Sequence, residues 1–515
     1  MKILFLFFLI FFSLNSQAQH QHNMPGMPDS SMKKMTVKKT TTRKTPAKKN
    51  IRMNMRGNKK QVMGDTTKPD MKMNMSKNMP MDQMNDTMKH GMNMGHMNMN
   101  MTHSYSRSLP MNRDGSGTSW MPDATPMYGY MKMTKKWNLM FHGSIFFRYN
   151  YQDITNKGVR SDSLTDRFDV PNWVMLMATR KVNKRGLFSF SLMLSADELT
   201  MGGNGYPLLF QSGETYNNKP LVDRQHPHDF ISGLSVAYTH MFNKDIDLTA
   251  YLGYPGEPAI GPPAFMHRIS SINNPDAPLG HHWQDATHIT FGVATLGLRY
   301  KIVKFEFSNF TGREPDENRY NFDKPRFNSW AYRFSVNPTD NFAIQFSQAF
   351  IKSPEALEPE ENITRTTASV LHSIILGEKT HLTSAAIWGI NQIWKSRPEH
   401  SVLLESNLQK NKTAFYGRYE LIQKSADELK ILPDGPDELF LINKLTLGTS
   451  YNFLHLFKTN FRIGIQGSAS LTSSKLHALY GKFPLSAEIY LHLLPINMNA
   501  LGAMKHSASQ NHSNH

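Results

Sequence analysis

The alternation of apolar and polar residues after Trp137 predicts a succession of β-strands. Runs of about ten residues place bulky apolar side chains at every second position, as from Phe188 to Ser195 and on both sides of Phe305. Successive side chains of a strand point to opposite faces, so one face here is apolar and the other carries small, polar or charged residues such as Glu306. An apolar outer face around a polar interior is typical of a barrel that spans a lipid bilayer.

The lengths of the connections between these runs support the same fold. Short connections cover residues 183–185, 243–245, 338–341, 377–379 and 409–412, and long ones cover residues 152–172, 196–229, 255–285 and 311–328. Bacterial outer-membrane barrels alternate short periplasmic turns with long external loops. We therefore predict an all-β fold, a transmembrane antiparallel β-barrel of about 16 strands with both termini in the periplasm. A soluble β-sandwich is the alternative, but it would bury Glu306, Arg462 and Glu488 in its core at several kcal/mol each. A propeller is disfavoured because the chain shows no repeat of the length of a propeller blade.

The N-terminal part of the chain differs from the predicted barrel in its residue composition and pattern. Lys2, an apolar run from Ile3 to Leu14 and the small residues up to Ala18 predict a signal peptide over residues 1–18. Residues 19–136 show no sustained apolar period, so we predict a disordered Met/Lys/His-rich periplasmic arm. The barrel is predicted over residues 137–495, followed by a short His-containing tail over residues 496–515.

Composition assigns the unusual chemistry to this arm. The 515 residues carry a net charge of +17, and residues 19–101 hold 16 Lys and Arg against 5 Asp and Glu, a net charge of +11. The same segment holds 19 of the 34 methionines. The basic charge is thus local, which argues against a nucleic-acid-binding surface. The chain has no cysteine, which excludes disulfides, cysteine metal sites and thiol nucleophiles.

The arm repeats the spacing Met-x-Met, with histidines between the pairs. Thioether sulfur is a soft ligand that favours Cu(I), and by the same property Ag(I), and residues two apart in an extended chain face the same side. We expect copper or silver here as a ligand that folding does not require. The alternative is a low-complexity linker. The candidate ligands are Met53, Met55, Met71, Met73, Met75, Met79, Met81, His90, Met92, Met94, His96, Met97, Met99, Met101 and His103.

A second group of candidate ligands lies on the long loops. Asp223 to Asp229 and His281 to His288 each precede a predicted strand, so neighbouring strands should bring them within roughly 10 Å at one external rim. Imidazoles and carboxylates there suit Cu(II), Zn or Ni. The alternative is a hydrogen-bonded network that folds the loops inward over the pore. The candidates are His226, His228, Asp229, His267, His281, His282, Asp285 and His288.

A third loop, from Gly312 to Arg319, alternates charges of opposite sign. This pattern suits a salt-bridged loop, and an ion-selecting constriction is the alternative. Recognisable catalytic motifs such as Gly-x-Ser-x-Gly and His-Glu-x-x-His do not occur, so we expect no enzyme.

The function predicted from these features is metal sequestration, tolerance or efflux by an outer-membrane barrel of a Gram-negative bacterium. The alternative is a general or substrate-specific porin whose arm is only a linker. Expected partners are outer-membrane lipid and metal ions, with peptidoglycan and periplasmic metal carriers as further candidates and no nucleic acid.

Two resemblances accompany this interpretation. The order of signal peptide, Met/His-rich leader and barrel resembles outer-membrane proteins of the copper resistance protein B type, which implies a role in copper tolerance. The segments Asp223 to Phe230, Gly256 to Arg268, His281 to Phe291 and Gly312 to Arg319 look like a family of Gram-negative outer-membrane barrels with no assigned function. The second resemblance implies the fold alone.

Overall fold

Sixteen antiparallel strands close into a barrel, which confirms the predicted architecture and strand number. The computed structural model describes residues 102–155, 166–393, 396–431 and 438–498. The barrel strands are β1 (Asn138–Tyr151), β2 (Asn172–Lys181), β3 (Gly186–Leu194), β4 (Ile231–Met241), β5 (Ile246–Gly253), β6 (Val293–Tyr300), β7 (Val303–Phe310), β8 (Ser329–Thr339), β9 (Phe342–Lys352), β10 (Asn362–Gly377), β11 (Thr380–Ile393), β12 (Glu399–Lys410), β13 (Thr413–Ser425), β14 (Leu439–Leu456), β15 (Thr459–Thr472) and β16 (Leu485–Pro495).

Each barrel strand pairs with the next, and β1 closes the ring. The first part of β1 pairs with β2, opposing Phe141 to Leu176, and its second part pairs with β16, opposing Phe147 to Leu491. The connections alternate as predicted, with turns such as the one between β6 and β7 at one end of the barrel and long loops at the other. We call these the turn end and the loop end.

Shorter elements lie in the loops and before β1. The short strands are Tyr130–Met133, Asp166–Asp169, Tyr206–Pro207, Glu214–Tyr216, Lys219–Leu221 and Arg224–Gln225. The helical turns are Met111–Arg113, Asp197–Met201, Phe265–His267, His281–Gln284, Ala286–His288, Ser474–Leu476 and His477–Tyr480. Within the described ranges, no helix is long and apolar enough to cross a bilayer.

The strands turn their apolar side chains outward. On β7, Phe305 is 52% exposed, while its neighbours Lys304 and Glu306 are buried inside the barrel. Phe305 opposes Leu298 of β6 and Phe334 of β8, which are also exposed. This apolar band is the surface that an outer-membrane barrel presents to lipid.

The interior is filled by a long loop, residues 254–292, which we call the lumenal loop. Its Arg268 is fully buried and donates hydrogen bonds to Asp285 of the same loop at 2.7 Å and to Glu405 of β12 at 2.8 Å. Its Asp276 accepts a hydrogen bond from Arg148 of β1 at 2.8 Å. Charged wall residues that would be costly if unpaired therefore hold the loop across the lumen.

The structure differs from the predicted arm, which was to extend to residue 136. Residues 102–129, the N-terminal segment, lie inside the barrel, where Asn337 donates to the Met121 carbonyl at 2.9 Å and Arg333 donates to Thr118 Oγ1 at 2.9 Å. A polar segment without apolar periodicity can be ordered in this way because lumen-facing side chains supply its hydrogen-bond partners. Similarly, residue 498 of the predicted tail donates its backbone N–H to the Met127 carbonyl at 2.8 Å.

Candidate functional site

Five histidines from two loops meet at the loop end of the barrel. The loop after β3 supplies two of them, and the lumenal loop after β5 supplies three. We call them the histidine cluster: His226, His228, His281, His282 and His288. The predicted convergence of these loops is therefore observed, although the cluster is buried inside the folded loops rather than placed on an open rim.

The spacing of the rings is close to that around a single ion. The ring centroids of His281 and His288 are 5.1 Å apart, those of His281 and His282 are 5.4 Å apart, and those of His228 and His288 are 5.4 Å apart. Two imidazoles on one tetrahedral zinc, with Zn–N bonds of about 2.1 Å, would have centroids about 5 Å apart. Among the described residues, no group of three or more His, Asp or Glu side chains, as they stand, could hold a metal ion.

The outer nitrogens of three rings have oxygen partners. The Nδ1 atom of His228 lies 2.6 Å from Asp197, and that of His281 lies 2.5 Å from the Asp285 carboxylate. His288 Nδ1 lies 2.9 Å from the Asp285 carbonyl oxygen. When Nδ1–H donates to such an oxygen, the lone pair is on Nε2, which is the usual orientation of a metal-binding histidine.

Three of the five rings have an Nε2 atom without a hydrogen-bond partner among the described residues. In the part of the chain that the structure describes, the buried Nε2 atoms of His228, His282 and His288 have no hydrogen-bond partner. The rings and their neighbours enclose a space of about 10 Å³. That is roughly the space that one water or ion occupies.

Acidic residues complete the surroundings. His282 Nδ1 lies 3.7 Å from Glu314, and His226 Nε2 lies 3.3 Å from Glu214. Glu214 also accepts a hydrogen bond from Arg319 at 3.1 Å. Arg319 additionally lies 3.5 Å from Asp229, so the loop from residue 312 to residue 319 is salt-bridged, as its charge pattern predicted.

Burial keeps most of these imidazoles neutral. It lowers the pKa of His281, and it lowers the pKa values of His226 and His288 well below 6.5, with nearby positive charge adding to the effect. His282 differs: burial opposes its protonation, but the carboxylates of Glu314, Glu214 and Glu428 together outweigh burial and raise its pKa. A neutral imidazole is the form that binds a metal ion.

A cavity of about 90 Å³ opens beside the cluster and shares His282 and Glu314 with it. Seven carboxylates line this cavity against two guanidinium groups. Burial, and then the carboxylates of Glu428 and Glu314, raise the pKa of Glu355 well above its usual value of 4.5. Besides burial, the raised pKa reflects repulsion between neighbouring carboxylates, which a bound cation would relieve.

Three predicted ligands are not members of the histidine cluster: one contacts other aromatic rings, and two are carboxylates that contact an arginine or the cluster histidines. His267 contacts Trp173 and His142, with ring centroids 4.5 Å and 5.7 Å away. Asp229 pairs with Arg319, and burial raises its pKa to about 7. Asp285 supports two cluster rings instead of facing the enclosed space, so it acts as their anchor.

The candidate ligands of the arm fall into two parts. Those from Met53 to Met101 lie outside the described residues. His103, the last of them, is buried in the barrel, where its Nδ1 accepts the Tyr105 N–H at 2.9 Å and its Nε2 lies 3.3 Å from Asp114. His103 therefore belongs to the N-terminal segment inside the barrel and not to the arm, and its role as a metal ligand stays a prediction.

Sequence reasoning did not find the anchors of the cluster. Asp197 and Glu214 come from the same loop as His226 but are separated from it along the chain, so no short motif joins them. Glu314 stands in the charged loop and was not connected with histidines. Only the fold of three loops against one another brings these groups together.

No protein-family model matches this chain, and no curated protein is similar to it in sequence. Among solved structures, OmpF of Salmonella typhi in complex with daunomycin is similar over 70% of this chain and 100% of its own, with 10% identity and a TM-score of 0.43. The loop L8 deletion mutant of OmpT from Vibrio cholerae has 8% identity, the same coverage of both chains and a TM-score of 0.41. An anion-selective porin from Comamonas acidovorans has 10% identity, the same coverage and a TM-score of 0.40.

Proposed function

We propose that this outer-membrane barrel binds a transition-metal ion at the histidine cluster and serves metal sequestration, tolerance or efflux. The observation that carries the proposal is the orientation of the rings. Nδ1 of His228, His281 and His288 faces an oxygen, while Nε2 of His228 and His288 is buried without a partner. Imidazole nitrogen suits Cu(II), Zn and Ni.

A purely structural network would leave this observation unexplained. Buried polar atoms in proteins nearly always have partners, because an unsatisfied one costs about 1–3 kcal/mol. The rings that carry such atoms line one small space, and a cation bound there would give the atoms a partner. The acidic cavity beside His282 supports a cation as the ligand, because its carboxylates outnumber the guanidinium groups.

The Met-rich arm has its own part in the proposal. Its Met-x-Met pairs suit Cu(I) or Ag(I), which it would collect in the periplasm. The order of parts in this chain, which resembles the copper resistance protein B type, is consistent with such a role.

The test of the cluster is the metal content of the purified full-length protein. The protein is equilibrated at neutral pH with Zn(II), and in parallel with Ni(II) and Cu(II), and bound metal is counted after free metal is removed. We expect His281→Ala/His288→Ala to hold one ion fewer per chain than the wild type for at least one of these metals.

The matched control is His240→Ala/His372→Ala. It removes the same number of imidazoles from β4 and β10, away from the cluster. Its metal content should equal that of the wild type, and ions held by histidines of the arm cancel in the comparison. Equal metal content in the cluster variant, with the barrel still folded, would refute the proposed site.

A porin-type channel is the second candidate, because sixteen strands are the number found in porins. The two functions differ in what the arm does. Deletion of residues 19–101 should lower cellular tolerance to copper and silver if the arm collects metal, and should leave it unchanged if the arm is a linker.

A further inference from the structure

A second cavity lies inside the barrel, between the histidine cluster and the turn end. It has a volume of about 140 Å³, and His226 and His228 of the cluster line one part of it. Leu494 of β16 lines another part, close to the turn that joins β14 and β15. Its methionines are Met121, Met127, Met140, Met175, Met177 and Met266. We call it the thioether cavity.

The methionines come from three separate parts of the fold. On the barrel wall, Met140 of β1 opposes Met177 of β2, and His142 opposes Met175 one step further along the same pair of strands. The N-terminal segment adds Met121 and Met127, and the lumenal loop adds Met266. Met175 and Met177 repeat the Met-x-Met spacing of the arm and face the same side of their strand.

A cluster of methionines adjoins the cavity. Met111, Met127 and Met140 are buried together, and Met131, Met177 and Met498 are partly buried against them. Of the fourteen methionines after residue 101, nine line the cavity or belong to this cluster. The interior of an outer-membrane barrel is ordinarily polar, so a concentration of thioethers inside this barrel is unusual.

We propose that the thioether cavity is a binding site for a soft monovalent cation, Cu(I) or Ag(I). Thioether sulfur carries no proton to displace and prefers these ions to Zn, Mg or Ca. Cavity residues that face one another across β1 and β2 can supply two or more sulfur ligands to one ion. The site binds the cation without any redox step.

Filling of irregular space does not explain these residues. Methionine is a flexible side chain that closes gaps in protein cores, and cores rarely keep voids larger than a water molecule. Here six methionines are among the residues that line an open space of about 140 Å³. Residues placed for packing alone would have closed it.

Two imidazoles supply a second, independent indication of a ligand. His142 and His267 line the same cavity, with ring centroids 5.7 Å apart. The buried Nε2 of His142 has no hydrogen-bond partner among the described residues. An unpartnered nitrogen beside thioethers is a further ligand for Cu(I), which accepts both donor types.

This inference deepens the proposed function and rests on it for the physiological role. The two sites nevertheless have different ligand chemistry, so they can fail separately. Loss of Zn(II), Ni(II) or Cu(II) binding on His281→Ala/His288→Ala concerns the histidine cluster. Loss of Ag(I) binding on removal of thioethers concerns the cavity.

The experiment counts silver on the full-length protein. Wild type and Met175→Leu/Met177→Leu are equilibrated with silver nitrate in chloride-free buffer, desalted and analysed for silver per chain. Leucine has a volume similar to that of methionine and no sulfur, so the fold is retained at little cost. We expect the cavity variant to bind one Ag(I) fewer than the wild type, while its content of Zn(II), Ni(II) and Cu(II) is unchanged.

The matched control is Met201→Leu/Met241→Leu, which replaces two methionines that do not line the cavity. It should bind as much silver as the wild type. An unchanged silver count in the cavity variant would overturn the proposal. If that variant fails to fold, crystals of the wild type soaked in silver nitrate decide the question, because an anomalous peak beside the Met175 and Met177 sulfurs supports the site and its absence refutes it.

Discussion

Glu257 shows how strongly the filled interior acts on a single side chain. It is buried in the lumenal loop, and Ser116 of the N-terminal segment donates a hydrogen bond to its carboxylate at 3.1 Å. Burial raises its pKa to about 8; Arg333 opposes the shift, while Asp285 and Glu306 add to it. The carboxyl group therefore keeps its proton in the folded protein at neutral pH.

This shift predicts a dependence of stability on pH. The unfolded chain releases the Glu257 proton near pH 4.5, whereas the folded protein releases it near pH 8. The stabilising contribution is complete below pH 4.5, declines by up to about 1.4 kcal/mol per pH unit as the pH rises, and is lost above pH 8. Glu257→Gln cannot ionise, so its free energy of unfolding should fall less between pH 5 and pH 8 than that of the wild type.

The measurement is urea unfolding in detergent at a series of pH values. Glu378→Gln, which changes a carboxylate at an exposed turn between β10 and β11, is the control and should retain the wild-type pH dependence. A wild-type slope in Glu257→Gln would show that Glu257 does not hold its proton in the folded state.

At this scale the sequence predicted residue types better than their partners. The histidines of the cluster could be selected because they stand in short dense motifs before β4 and β6. Asp197, which lies 2.6 Å from His228, could not be selected, because the contact depends on the path of a whole loop. The methionines of the thioether cavity were equally hidden, since they are spaced widely along the chain.

At the scale of the strand, the period of two decides which changes the barrel tolerates. Phe305 of β7 lies in the apolar band, between the turn end and the middle of its strand. An arginine on the lipid face costs up to about 2–4 kcal/mol, the most at the bilayer midplane and less towards the interfaces. We expect Phe305→Arg to reduce the yield of folded barrel in the membrane, while Phe305→Leu assembles as the wild type does.

Folded barrel can be quantified from its altered mobility in unheated electrophoresis samples. Equal yields of Phe305→Arg and Phe305→Leu would mean that this face does not contact lipid.

The strands themselves were predictable because each carries its own alternation and each pair its own connection length. The N-terminal segment was not, because its order comes from partners such as Asn337 and Arg333 on distant strands.

At the scale of the whole molecule, a barrel with the strand number of a porin has an occupied lumen. The lumenal loop and the N-terminal segment both lie within it and are hydrogen-bonded to wall strands from β1 to β14. The barrel strands can be predicted from the alternation of apolar and polar residues. The segments inside the lumen cannot, because loop residues have no regular alternation that distinguishes inward-facing from outward-facing side chains. If solutes pass through this barrel, their passage would depend on how firmly these segments are held.

Arg268 is the residue whose removal should release the lumenal loop. It is fully buried and joins Asp285 of the loop to Glu405 of the wall. Breaking a buried ion pair from one side costs about 3–5 kcal/mol, because the remaining carboxylates are left uncompensated. This loss of free energy destabilises the packed position of the loop in the lumen. We therefore expect Arg268→Ala to increase ion conductance in planar bilayers several-fold over a wild type that conducts little. Arg326→Ala, at an exposed loop position, should conduct as the wild type does. A wild type with the steady large conductance of an open porin would instead favour the channel function and mean that the loop does not obstruct the lumen in the membrane.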